Sequence, residues 1–197
     1  MSRPWHIRIG ETEGVAWKAL QVGHTFELIS SKPDHQEFWI LVQNTFGESF
    51  CLLWSHLFGS RSDDLHCSKL FSAAETELGR QHSHEQAMQR IRSYAQLDEH
   101  GFDQLWAEVK ACRDKFIAHR ELNASAAFPH VDLCILIVEA LRDELKGITL
   151  ALASRYPDDH HLDGLVAYYR SNTNRVLRSR AAYRFQTGLS EAAVWLS

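Results

Sequence analysis

The chain has 197 residues, of which 45% are hydrophobic and 23% charged, with ten glycines and four prolines; this is the profile of one folded domain, neither disordered nor fibrous. At this length a core forms without disulfide or metal staples. A net charge of −4 supplies no global positive field, so any contact with a polyanion needs a local patch.

The amino terminus, Met-Ser-Arg-Pro-Trp-His-Ile-Arg, lacks the apolar core of a secretory leader, and the most apolar stretch beyond it is interrupted by Asp132, Glu139 and Arg142 within the length a bilayer span requires. A soluble, cytoplasmic protein is expected. No proline stands between Pro33 and Pro129, which leaves room for long helices. Residues 35–58 carry Phe38, Val42, Phe46, Leu53 and Leu57 on one face and Trp39, Phe50 and Trp54 on another. A helix apolar around most of its circumference is central in a bundle or half of a dimer interface. The polar run 59–64 reads as a loop, 67–79 and 84–97 as shorter helices, and Asp98 to Gly101 as a break.

Residues 102–120 place Leu105, Val109, Cys112 and Phe116 at alternating four- and three-residue spacings, and Pro129 to about Ser154 does the same with Cys134, Val138, Leu141, Leu145, Ile148 and Leu152. These are the narrow stripes of antiparallel bundle packing. Pro129 suits the first turn of the second helix, and Asp132 its positive end. Alternating strand patterns, hairpin turns and internal repeats are absent. The expected fold is all-α, an up-and-down helical bundle of about five to seven helices over residues 1–156, with 157–197 as a basic helical tail packed on or extending the same domain. Within 164–190 stand Arg170, Arg175, Arg178, Arg180 and Arg184 without a single Asp or Glu. That tail reads as a surface helix pairing with the acidic body, or as an RNA-docking helix with Tyr168, Tyr169 and Tyr183 available to stack on bases.

Cys51, Cys67, Cys112 and Cys134 include no C-x-x-C pair and each lies in an apolar helical pattern, so they read as small buried hydrophobes. His82 with His84, and Asp158, Asp159, His160 and His161, have metal-ligand chemistry without a ligand spacing, and read as solvated loop residues; no metal and no cofactor are expected. The phosphate-loop, dinucleotide, zincin and serine-hydrolase signatures are missing.

The informative segment is 112–121, Cys-Arg-Asp-Lys-Phe-Ile-Ala-His-Arg-Glu. On one straight helix Arg113 and His119 would stand about 120° apart in azimuth and about 9 Å apart along the axis, so they would not meet over a small substrate. Either the helix unwinds near Ala118, or a second copy supplies the missing partner about a two-fold axis. Arg113-Asp114, four residues, then His119 resembles the signature of the HEPN family. The aromatic-rich helix ending near residue 59, the short helices and the long helix after the motif are similar to its abortive-infection branch over about residues 35–155. The resemblance implies a bundle dimerised through the motif helices and a metal-independent endoribonuclease of phage defence or a toxin system, with an antitoxin as a further partner. Arg113, Asp114 and His119 would be the catalytic set, with Asp114 orienting the others, and Lys115 and Arg120 would hold neighbouring RNA phosphates. Glu121 departs from the tyrosine that HEPN toxins controlled by a nucleotidyltransferase antitoxin carry two residues after the motif histidine. The alternative is a catalytically inactive HEPN-like helical module for protein or nucleotide binding, and a third reading is an unrelated helical interaction protein carrying the motif by chance.

Overall fold

The structure is a computed structural model that describes residues 5–30, 37–114 and 128–171. It is an all-α bundle: α1 (Trp5–Ser30), α2 (Glu37–Phe58), α3 (Cys67–Leu78), a single 3-10 turn (Arg80–His82), α4 (His84–Tyr94), α5 (Glu99–Arg113), α6 (Val131–Arg155) and a further helix, α7, over 160–171. Among the described residues there is no strand, and no helix is long and apolar enough to cross a membrane.

Helix α6 is the central element. Its whole stripe, Cys134, Val138, Leu141, Leu145, Ile148 and Leu152, is buried, as are Leu105, Val109 and Cys112 of α5. Helix α1, which the periodicity does not pick out, runs antiparallel to both α2 and α6: Gly23 lies against Phe50 and Ile135, while Glu13 reaches Arg142. The buried positions of α1, Ile9, Thr12, Glu13, Ala16, Ala19, Leu20 and Phe26, keep helical spacing but are mostly small or polar, so they form a face without a hydrophobic signal. Gly23 lets three helices approach closely, since a Cβ there would stand 2.9 Å from both Ile135 Cγ1 and Phe50 Cε2.

The ends of the helices have local causes. The Asp98 carboxylate accepts the Gly101 amide at 2.7 Å and so caps α5, which begins at Glu99; the break expected from Asp98 to Gly101 is instead the helix start. Similarly α6 begins at Val131 with His130 at its cap, so Pro129 precedes the helix rather than lying in its first turn. Gly79, at φ 97°, ends α3 in a backbone region that favours glycine, and α4 ends at Tyr94, three residues short of the 84–97 expectation, with Gln96, at φ 56°, beyond its end.

One charged knot ties α1, α6 and α7 together. Arg142 donates to Glu13 Oε1 through Nε at 2.7 Å and Nη2 at 2.5 Å, and the hydroxyls of Tyr168 and Tyr169 donate to Glu13 at 3.1 and 3.2 Å. The Arg142 guanidinium also lies 4.8 Å from the centroid of the Trp17 ring. Burial works against the Arg142 charge, but Glu13 outweighs it and holds the guanidinium protonated; burial and Glu13 together push both phenols up, so they remain donors. Tyr169 is buried and Tyr168 partly so. Tyr169 is therefore structural and the base-stacking reading fails for it, while Tyr168 is tied by its hydroxyl to the same carboxylate.

Candidate functional site

The last turn of α5 is pinned to α2 by the Cys112 and Cys51 thiols, 3.6 Å apart and both buried. The next two residues carry the charge. Arg113 donates to Asp114 Oδ1 through Nε at 2.8 Å and Nη2 at 2.6 Å, while Lys110 Nζ donates to Asp114 Oδ2 at 2.7 Å. Lys110 and then Arg113 hold the Asp114 carboxyl below the usual carboxylate range, so it stays ionised. The result is two cations on one carboxylate at a helix C-terminus, where the macrodipole favours positive charge. The side chains of Arg113 and Asp114 are 30% and 39% exposed, so solvent and solutes reach both.

Of the predicted site residues the structure thus brings Arg113 and Asp114 together. Lys115, His119 and Arg120 lie outside the described residues, as do Phe116, Ala118, Glu121, Tyr183 and the tail arginines from Arg175 onward. Helix α5 is described to Arg113 with Asp114 as its cap.

The chain returns at Phe128, whose ring packs edge-on against Phe26 at 5.0 Å and occupies the space a Cβ on Gly47 would need. Both Cys112 and Phe128 are therefore anchored on α2, at Cys51 and Gly47. The N-terminal turn of α2 lies further along the helix, with Leu41 about 9 Å from Gly47 along the axis. There Phe38, Ile40 and Leu41 are 63%, 46% and 65% exposed, whereas Phe50, Cys51, Trp54, Leu57 and Phe58 are buried. The all-round apolar character of α2 thus divides along its length: one half is core, and the other is an apolar surface at the Arg113 end of the molecule.

Sequence reasoning missed a cleft of about 300 Å³ at the opposite end of α5, lined by Phe58, Arg61, His66, His84, Asp103 and Trp106 among others. His66 Nδ1 accepts the Ser68 amide at 3.1 Å and caps α3, and Trp106 Nε1 donates to the Phe58 carbonyl at 2.8 Å. Burial, followed by Arg61 and Arg92, depresses the His84 imidazole; burial, followed by His84 and Arg61, depresses that of His66. The lining comes from four chain segments, so no local motif announces it.

In the 158–161 run the side chain of His160 is exposed, whereas that of His161 has a structural contact. His161 stacks on His6 at 4.7 Å, and Asp159 accepts the His161 amide at the start of α7. Among the described residues no group of His, Cys, Asp and Glu is arranged to hold a metal ion. Compared with family models, curated proteins and solved structures, the chain matches none of them.

Proposed function

We propose that this chain is a HEPN-type, metal-independent endoribonuclease whose active site is completed in a homodimer. The observation that carries the reading is the solvent-accessible Arg113 guanidinium at the end of α5, fixed by an ionised Asp114. In the reaction the ribose 2′-oxygen forms a bond to phosphorus as the bond to the 5′-oxygen breaks. His119 takes the 2′-hydroxyl proton, and the His119 of the second copy returns one to the leaving oxygen. Arg113 spans two phosphate oxygens and stabilises the charge that develops on them. Asp114, already engaged by Lys110, keeps the guanidinium oriented and exchanges no proton. Lys115 and Arg120 hold flanking phosphates. The apolar surface of Phe38 and Leu41 is the dimer contact in this reading, and a defence or toxin role with a neutralising partner follows from the HEPN resemblance.

One observation favours a second reading, an inactive HEPN-like binding module: two of the five N–H donors of Arg113, on Nε and Nη2, are already engaged by Asp114 Oδ1, which leaves only the Nη edge for a phosphate. Cleavage of RNA in EDTA separates the two. The expected result is cleavage by the parent chain and a loss of about 100-fold or more in His119→Ala and Arg113→Ala. A parent that leaves RNA intact, or variants that cut equally well, would remove the enzyme reading.

A further inference from the structure

The cleft at the other end of α5 has two kinds of wall. Phe58, Phe102 and Trp106 give it aromatic surface, with the indole fixed by its bond to the Phe58 carbonyl. Arg61, His84 and Asp103 give it polar groups, and none of the three makes a hydrogen bond or ion pair among the described residues. For Arg61 this is notable because two carboxylates follow within three positions. Asp63 accepts from His56 and the Leu65 amide, and Asp64 pairs with Lys69, so both are turned to other partners. The guanidinium that lines the cleft is left open.

A ligand that satisfies these walls has a flat ring for the aromatic side, an anionic group for Arg61, and N–H donors for the Asp103 carboxylate. The volume, about 300 Å³, lies at the small end of ligand sites and suits one such unit rather than an extended chain. We propose that this cleft binds a single nucleotide, with its phosphate on Arg61, its base against Trp106 and Phe102, and a base amino or ring N–H on Asp103. Base–aromatic stacking contributes about 1–3 kcal/mol, and the guanidinium–phosphate pair adds to it, so the two together hold such a unit. The site is separate from the Arg113 end. Trp106 and Arg113 are seven residues apart on α5, two turns and about 10 Å along one side of the helix, so the nucleotide is either free or one unit of an RNA strand running toward Arg113. The proposal does not depend on cleavage.

Calorimetric titration tests it with AMP, CMP, adenosine, ribose 5-phosphate and a 2′-O-methyl tetranucleotide that cannot be cut through its 2′-oxygen. Saturable binding of the nucleotides or of the tetranucleotide is expected, weakened at least tenfold by Arg61→Ala and unchanged for the mononucleotides in Arg113→Ala. Adenosine and ribose 5-phosphate should each bind more weakly than AMP. Mononucleotide binding identifies the free form as the ligand, and binding of the tetranucleotide alone identifies RNA. The proposal is overturned by an absence of saturable binding in every arm, by binding indifferent to Arg61→Ala, or by an acidic peptide binding as tightly as AMP. Because Arg113→Ala removes cleavage and leaves the cleft intact, the two functional readings fail independently.

Discussion

Two arginine–carboxylate pairs in this chain share their chemistry and differ in their surroundings. In the Arg142–Glu13 pair the side chains are 9% and 4% exposed, and two tyrosine hydroxyls complete the carboxylate's bonds. In the Arg113–Asp114 pair they are 30% and 39% exposed, the residues are adjacent in sequence, and a lysine supplies the remaining partner. The first pair joins α1, α6 and α7 and has no group left to offer a ligand. The second joins nothing distant, so its loss leaves the bundle intact, and in the proposed reaction its charge is redirected to a phosphate. An arginine beside a carboxylate is therefore an interior tie or an accessible surface charge according to what else it holds.

The sharpest break in that comparison is Arg142→Ala. Removing one partner strands the Glu13 charge in the interior, and denaturant unfolding should show a loss of about 3–5 kcal/mol. A loss under about 1 kcal/mol would mean the knot is not the tie described. Next comes the close packing nearer the C-terminal end of α1. Gly23→Val drives methyl groups into Ile135 and Phe50 and should cost about 1–3 kcal/mol, whereas Gly14→Ala meets no atom within 4 Å and should stabilise by about 0.5–1 kcal/mol. Equal effects at the two glycines would contradict the three-helix contact.

Acid should have a smaller effect. His66 and His84 are held below their ordinary value of 6.5 by burial and the neighbouring Arg61, so the unfolded chain takes up their protons first. Stability is then complete above about pH 6.5 and falls as the pH drops below it, and His84→Gln should flatten that fall. An unchanged slope would place His84 outside the buried set. The smallest stability effect belongs to Arg113→Ala, within about 0.5 kcal/mol of the parent as expected for an exposed pair; a large loss would make Arg113 a second structural tie.

Helices α5 and α6 were legible because large aliphatic side chains repeat at three and four residues along them. Helix α1 was not: its buried face is built from Thr12, Glu13, Ala16, Ala19 and Gly23, and close helix approach selects small residues that carry little hydrophobic signal. Their three- and four-residue spacing was the trace that remained. Arg142 read only as an interruption of an apolar run, since its partner lies 129 positions away. Tyr168 and Tyr169 read as free aromatics for the same reason. Arg113 and Asp114 could be singled out in the sequence because they stand side by side in a short motif, while the cleft of Arg61, His84, Asp103 and Trp106 is assembled by the fold from distant segments.

The most direct test of the catalytic account is the chemistry of the RNA ends after digestion by the purified chain in EDTA, read by mass spectrometry beside Arg113→Ala. Fragments ending in a 2′,3′-cyclic phosphate and a 5′-hydroxyl, and lost in the variant, are the predicted result. Fragments with a 5′-phosphate and a 3′-hydroxyl, or no fragments from the parent chain, would contradict it.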